Sequence, residues 1–365
     1  SHLLQIRDPQ LLKELVRLEK DRPDPSNPSR FAAWKSSVEA IRVQLRQQAR
    51  ESVHNARLVA MTVARATFVL QDLAEQHFDY VVFDESSQVS LAHALPLCPL
   101  GKNVVFAGDP KQLQPIVRSQ NERCREWIGN SMFRYMDAGQ GNVVQLNEQS
   151  RMSKPICEVV GKLFYDDNLV VAKDVEGTMK WRYETQPRGR LLVAGVADAR
   201  NHIVLVASPA ESKWSKNQGP IRFGSAVQVV EMVKYLTEKL EDTDILVLTP
   251  FRAQRILIRK LLRYRGITKI RVSTVHRAQG SESHTILFDP VCGSSDFLMP
   301  SSNPDAACLI NVAFSRARAR LIVLLSPNDL RNPILAAFNK LVAQNGINRQ
   351  PDFDARSITP ISEFV

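Results

Sequence analysis

Tyr80-Val81-Val82-Phe83-Asp84-Glu85-Ser86-Ser87-Gln88 and, further along, Asn103-Val104-Val105-Phe106-Ala107-Gly108-Asp109-Pro110-Lys111-Gln112-Leu113-Gln114-Pro115 each run from apolar residues into polar ones. Short continuous apolar runs of this kind read as strands of a parallel sheet, buried on both faces. Ligands bind such sheets at the carboxyl ends of the strands. A strand ending in Asp84-Glu85 sets two carboxylates at that edge. One acid can hold Mg²⁺, usually through water, and the next can polarise a water for attack on a phosphoryl group. Taken alone, the first stretch is equally a strand end with solvated acids. In the second, Gly108 permits a tight backbone, Asp109 can order the loop, and Gln112 can reach toward a terminal phosphate or a water. The pair is far more specific than either half.

Outward from these stretches the same texture continues. Candidate strands are Leu58–Met61, Tyr80–Phe83, Asn103–Phe106, Asn142–Leu146, His202–Val206, Asp244–Leu248, Ile270–Val272, Thr285–Phe288 and Arg320–Leu325. Helical periodicity follows several of them, notably over Ala226–Leu240 and Ala253–Tyr264. Strand–helix alternation predicts an α/β fold with parallel sheets. Upstream, Leu3, Leu4, Ile6, Leu11, Leu12, Leu15 and Leu18 fall near one helical face. Asp21–Arg30 carries Pro23, Pro25 and Pro28 and is expected to be a loop. A second helical stretch, Phe31 to Asn55, completes a hairpin or stalk without a catalytic pattern. The span Val170–Gly219 is less regular and reads as an insertion or surface region. After about Gln344 the tail has few apolar residues and is expected to wrap or fray.

The chain has 365 residues, 44% of them hydrophobic, enough for two ordinary cores. Its 48 Lys+Arg against 38 Asp+Glu give a net charge of +10. That excess suits a polyanionic partner, because neutralising phosphates releases condensed counterions. A basic surface with no partner is the alternative. The cysteines Cys98, Cys124, Cys157, Cys292 and Cys308 are odd in number and include no Cys-x-x-Cys pair, which argues against a disulfide framework and a local zinc site. No apolar run approaches the ~18 residues of a membrane span, and no signal-peptide layout opens the chain. The expectation is a soluble intracellular protein, cytoplasmic or nuclear, with no membrane partner.

Asp-Glu followed by Gly-Asp-x-x-Gln-Leu-x-Pro resembles motifs II and III of superfamily 1 helicases. The series continues in family order. Leu146-Asn147-Glu148-Gln149-Ser150-Arg151-Met152 is similar to the Gln-Tyr-Arg-Met motif of the branch that includes the nonsense-mediated-decay helicase and the DNA-replication helicase/nuclease. Leu248-Thr249-Pro250-Phe251-Arg252-Ala253-Gln254 resembles the Thr-Pro-Tyr-x-x-Gln motif. Ser273-Thr274-Val275-His276-Arg277-Ala278-Gln279-Gly280-Ser281-Glu282 is similar to motif V, and Asn311-Val312-Ala313-Phe314-Ser315-Arg316-Ala317-Arg318 to motif VI. Ala60-Met61-Thr62 stands where the family has a Thr-containing nucleic-acid motif. The resemblance covers roughly residues 10–330.

It implies two RecA-like parallel-sheet domains, the first truncated, behind a helical stalk. The implied division is stalk 1–56, remainder of the first domain 57–140, second domain 141–335 and tail 336–365. ATP and Mg²⁺ would be the ligands, with Asp84 helping to hold the metal and Glu85 acting as general base. Gln112 would sense the terminal phosphate, and Arg151 and Arg316 would neutralise charge developing in phosphoryl transfer. Gln149 belongs to the nucleotide side, while Gly280 and Glu282 would couple the nucleotide cleft to the nucleic-acid track. Thr62, Pro250, Thr274 and His276 are the candidates for touching phosphates or bases of a single strand, DNA or RNA. His276 is equally readable as a satisfied structural histidine.

Three departures qualify the match. A phosphate-cradling loop needs Gly-x-x-x-x-Gly-Lys-Ser/Thr. The Gly-Lys pairs here, Gly101-Lys102 and Gly161-Lys162, have neither the hydroxyl residue after nor the glycine before. The expectation is a truncated first domain with exposed apolar faces and strand edges, its loop supplied by a further segment or another subunit, and little NTPase activity without it. Ser150 replaces the aromatic of Gln-Tyr-Arg, removing a base-stacking group. The motif V wording departs from that of the RNA-acting decay helicase, which leans the expectation toward DNA; 5′-to-3′ polarity follows only from the branch. An ATP-dependent translocase or helicase leads; a non-hydrolysing single-strand-binding module is the alternative. A nuclease would need metal-spaced carboxylates beyond Asp84-Glu85, and none stands out.

Overall fold

The computed structural model describes residues 9–117, 119–136, 142–189, 202–209 and 211–344. It is an α/β protein that divides into two compact units, one from residues 1–84 and 89–107, the other from residues 85–88 and 108–365.

The first unit opens with helices α1 (Pro9–Lys20) and α2 (Pro28–His54). Leu11, Leu12, Leu15 and Leu18 of α1 are half-buried on one stripe, and α2 buries Val38, Ile41 and Leu45. The indole N–H of Trp34 donates to the Leu18 carbonyl at 2.7 Å, pinning the hairpin. Of the loop prolines, Pro28 instead starts α2: proline lacks only an N–H that the first helical turn does not use, and Asn27 caps the helix by accepting from Arg30 N. Short helices α3 (Val63–Phe68) and α4 (Leu70–Ala74) lead to strand β1 (Phe78–Phe83). Helix α5 (Leu91–Ala94) precedes β2 (Gly101–Phe106), which pairs in parallel with β1. Phe83 and Phe106 stack across the pair at 5.0 Å. Tyr80, Val82 and Val105 stay exposed on this two-stranded sheet, whereas parallel sheets normally bury both faces. The predicted strand Leu58–Met61 does not form; Leu58 is exposed, and an apolar run without a neighbour to bond cannot be a strand.

The second unit holds α6 (Glu122–Gly129), β3 (Glu148–Gln149), α7 (Lys154–Phe164), β4 (Val170–Val171) and α8 (Met179–Thr185). There follow β5 (Ile203–Ala207), β6 (Lys213–Ser215), β7 (Gly219–Ile221), α9 (Phe223–Lys239), β8 (Ile245–Thr249) and α10 (Arg252–Tyr264). The last elements are β9 (Arg271–Thr274), α11 (Val275–Ala278), β10 (Ser283–Phe288), α12 (Ala306–Ser315), β11 (Ala317–Leu325) and α13 (Pro333–Gln344). A five-stranded sheet runs in the order β5-β11-β10-β8-β9, with every pairing parallel. Alternate residues of each strand face opposite cores. Val204, Val247, Leu287 and Ile322 pack with α9 and α10, while Leu246, Ile286, Phe288 and Leu321 pack with α7, α12 and α13. Covering on both faces is why these strands are apolar throughout.

The predicted strand Asn142–Leu146 is absent; Val144 and Leu146 are exposed, and only Glu148–Gln149 pairs, with β4. The span read as an insertion contributes β5, which is an edge strand of the main sheet, bonded to β11. The expected tail begins inside α13, whose Leu335, Phe338 and Val342 belong to the core; the tail beyond Gln344 lies outside the described residues. No helix among the described residues is long and apolar enough to cross a membrane.

A buried polar cluster locks the carboxyl edge of this sheet. The Arg222 guanidinium donates to Asp289 at 2.9 Å and to Asp329 at 2.6 Å, all three fully buried. Asp289 also accepts from Ser225 Oγ at 2.7 Å and Gln254 Nε2 at 2.8 Å. Gln254 in turn exchanges hydrogen bonds with the Arg222 backbone at 2.9 Å in both directions. Asp329 takes the Gly293 N–H at 2.7 Å. Burial opposes the charge on Arg222, but Asp289 and Asp329 outweigh it and hold the guanidinium protonated. The segments before α9, at the start of α10, after β10 and after β11 are thereby fixed to one another.

Candidate functional site

Glu85 follows β1 with φ +50°, in the left-handed region that non-glycine residues seldom adopt. A 3₁₀ turn over Ser86–Gln88 continues from it, and the Gln88 N–H closes back onto the Glu85 carbonyl at 3.0 Å. The loop after β2 lies directly against this turn. A Cβ on Gly108 would sit 2.9 Å from Ser86 N and 3.0 Å from Ser87 N, both backbone atoms, so only glycine allows the approach.

Asp109 orders that loop, as its position suggested. Its carboxylate accepts from the Lys111 N–H at 2.9 Å, from Gln112 Nε2 at 2.9 Å and from the Tyr165 hydroxyl at 2.5 Å. Gln112, oriented by Asp109 on one side, accepts from Arg316 Nη2 at 2.9 Å on the other. Arg316 sits at the end of α12, fully buried, and also donates to the Val312 carbonyl. Asn311 donates to the Lys111 carbonyl and to Tyr165 Oη, both at 2.8 Å. The result is a continuous chain Asn311–Tyr165–Asp109–Gln112–Arg316. Tyr165 carries no motif and was missed; only its place just after an apolar helix could have suggested it. Burial and the Asp109 charge push its hydroxyl well above the usual tyrosine range, so it remains a proton donor.

Arg151 pairs with Glu282 at 2.6 Å, and Arg318 bonds Asp244 at 2.6 Å beside it. Gln149 uses its side chain on the backbone: its oxygen accepts from Arg151 N at 2.9 Å and Met152 N at 2.7 Å. It therefore shapes the turn that presents Arg151. Gly280 has φ +75°, and nothing stands near where a Cβ would be; its backbone, not its size, demands glycine.

The electrostatics of the cluster are unbalanced. Burial pushes the Arg316 guanidinium below its ordinary pKa, and the nearby Arg151 pushes it further. Glu85, Tyr165 and Glu282 offset this only in part. Arg316, desolvated and beside a second cation, would gain from an incoming polyanion.

Asp84 closes β1 with its carboxylate. No group of three His, Cys, Asp or Glu suited to a metal exists among the described residues. A Mg²⁺ ion held by Asp84 would therefore draw its other ligands from water and phosphate oxygens, the usual habit of this ion.

The four strand-contact candidates separate. Thr62 caps α3, its hydroxyl accepting from Arg65 N at 3.2 Å. Thr274 and His276 lie together where β9 passes into α11, both half-buried. Pro250 is buried, and the next residue, Phe251, is half-buried. Phe251 packs on Phe297 at 5.6 Å, and Phe297 on His276 at 6.2 Å. Phe297, in the loop after β10, is a second member that sequence reasoning missed. Burial lowers the His276 pKa more than nearby Asp305 raises it, which favours the neutral ring that stacks.

Sequence comparison finds relatives over most of this chain. Family models described as "AAA domain" match residues 128–328 and residues 12–120. The mouse protein named DNA replication ATP-dependent helicase/nuclease DNA2 is 27% identical over 311 residues, covering 78% of this chain and 28% of that protein. The DNA polymerase alpha-associated DNA helicase A of Schizosaccharomyces pombe is 29% identical, covering 72% of this chain and 39% of that protein. The chain thus spans well under half the length of these relatives. Among solved structures, the C-terminal domain of a possible DNA helicase from Lactobacillus plantarum is matched at 14% identity and TM-score 0.30, covering 50% of this chain and 92% of that one. The larger family match takes in more than half of the 365 residues, and with it the motif order and the relatives it aligns to, the chain belongs to the AAA-domain family of superfamily 1 helicases, on the branch of the DNA-replication helicase/nuclease.

Proposed function

We propose that this chain is the part carrying the general base and the strand grip of an ATP-dependent helicase or translocase that moves 5′-to-3′ on single strands, DNA in preference to RNA. The observation that carries the proposal is the convergence of Glu85, Gln112, Arg151 and Arg316, with Arg316 buried, bonded to Gln112 and short of compensating charge. Each group has a distinct task. Glu85 takes a proton from an attacking water. Gln112, held by Asp109, reads the position of the terminal phosphate and relays it to Arg316. Arg316 and Arg151 stabilise charge on the transferred group. Asp84 would help to hold Mg²⁺, which would supply charge neutralisation for the phosphoryl transfer. Glu282, bonded to Arg151 and two residues after Gly280, links this side to Thr274 and His276, which hold the strand; Thr62 is a further strand contact in this proposal.

Phosphate cradling falls to a Gly-x-x-x-x-Gly-Lys-Ser/Thr loop, and the 365 residues contain none. A further segment or a second subunit supplies it in this proposal. That same absence favours the alternative, a single-strand-binding module that does not hydrolyse ATP. The test is ATP turnover by the intact protein with no nucleic acid, with single-stranded DNA and with single-stranded RNA. Turnover that rises at least about tenfold with a strand, more with DNA, is expected. Strand binding with no turnover on either polymer would move the assignment to the binding module.

A further inference from the structure

Helix α10 carries Arg252, Arg255, Arg259 and Arg263 at intervals of three and four residues, which places them on one stripe, and has no acidic residue. Its opposite face is committed to the core through Ala253, Leu257, Ile258, Leu261 and Leu262. The stripe therefore cannot rotate away. Arg277 joins it from α11, where Val275 and Ala278 are the buried positions and Arg277 is exposed.

Two neighbouring arginines of the same unit do find acids: Arg265 pairs with Glu231 at 3.0 Å and Arg318 with Asp244 at 2.6 Å. Among the described residues no carboxylate pairs with Arg252, Arg255, Arg259 or Arg277. Arg255 is the centre of the group. Its Nε is buried with no hydrogen-bond partner among the described residues. Burial lowers its pKa first, and the charges of Arg277, Arg259 and Arg252 lower it further. Four like charges held together, without a counter-charge, on a helix whose other face is fixed, store repulsion that a polyanion relieves.

We infer that Arg252, Arg255, Arg259 and Arg277 form a phosphate-backbone track, a nucleic-acid surface outside the residues given strand contacts above. The inference rests on the proposed strand-binding function and extends it. Arg252 and Arg277 directly follow Phe251 and His276 in the chain, so the track begins at the Phe251–Phe297–His276 aromatic group. Bases stacked on those rings leave their phosphates to the guanidiniums, the division of labour common to single-strand binders. The contacts are to phosphate, so the track adds affinity without sequence preference.

The test is fluorescence anisotropy of a labelled oligo-dT and an oligo-rU strand across a salt series, on the intact protein. Each phosphate contact by Arg or Lys contributes about 0.7 to the slope of log K against log salt on single strands. The double variant R255A/R259A is expected to flatten that slope by about 1.4 and to weaken binding at least about tenfold at low salt on both strands. R255K/R259K keeps the charges and is expected to restore most of the slope. Arg265→Ala, whose arginine is paired with Glu231, should match wild type. A slope and affinity unchanged in R255A/R259A overturn the track, and an acidic protein becomes the better occupant of the stripe. If Thr274→Ala with His276→Ala weakens binding while R255A/R259A does not, the strand-contact proposal stands and the track falls. The reverse result keeps the track and removes the motif contacts. A wild-type protein that binds neither strand overturns both.

Discussion

Arg222→Ala is expected to destabilise the second unit by about 3–5 kcal/mol, the range for removing one partner from a buried ion pair. The loss exceeds that of a surface pair because Asp289 and Asp329 are left charged with no water to solvate them. At about 2–4 °C per kcal/mol for a domain of this size, the melting temperature should fall on the order of 10 °C. The effect should be shared: in an Asp289→Asn background the same substitution should cost less, because one stranded charge is already gone. Urea unfolding of the four members of this cycle reads the result. A loss under about 1 kcal/mol for Arg222→Ala would mean that the cluster does not tie the strand ends together. The functional consequence is positional, since Gln254, bonded to Asp289 and to the Arg222 backbone, opens the helix that carries Phe251 and the arginine stripe.

Arg316→Ala should lower strand-stimulated ATP turnover of the intact protein by about 10³-fold or more, the range for arginines that act in phosphoryl transfer. That corresponds to roughly 4 kcal/mol of transition-state stabilisation. Two losses combine in it. The guanidinium no longer meets the transferred group, and Gln112 loses the partner that holds its oxygen, keeping only Asp109. Arg316→Lys separates them: the charge remains, but a lysine cannot reproduce the fork that reaches both Gln112 and the Val312 carbonyl, so an intermediate loss is expected. Thermal unfolding measured beside turnover keeps the buried site's stability apart from its chemistry. Turnover within tenfold of wild type for Arg316→Ala would remove this residue from the catalytic set.

The second sheet was legible because each strand is covered on both faces, which forces continuous apolar runs such as Ile245–Thr249 and Ala317–Leu325. The same rule misled at Leu58–Met61 and Asn142–Leu146, where apolar residues stand exposed and no neighbouring strand accepts their backbone groups. Hydrophobicity identifies what can be a strand; pairing decides whether it is one. Helix α13 was read as tail because a boundary was expected near 336, yet Phe338 packs against Phe314 at 4.7 Å. Residue types at the candidate site were visible in the motifs, but their bonds were not. Gln112 and Arg316 are 204 residues apart, and Tyr165 reaches Asp109 from a segment with no motif at all. The Arg222 cluster was invisible for the same reason: residues 222, 289 and 329 meet only when the sheet forms. Pro250 is a motif position read as a strand contact, and its burial could not be seen in the motif.

The central claim is that Glu85 and its neighbours act on the terminal phosphate of ATP. The measurement that tests it most directly is ATP binding and single-strand-stimulated turnover of the intact protein beside its Glu85→Gln variant. Loss of the carboxylate removes the proton acceptor and leaves the rest of the cluster in place, so turnover should fall at least about 10²-fold, the lower end for a general base, with ATP and strand affinities within a few-fold of wild type. Turnover by Glu85→Gln equal to that of the wild type would contradict the account and place the chemistry elsewhere in the protein.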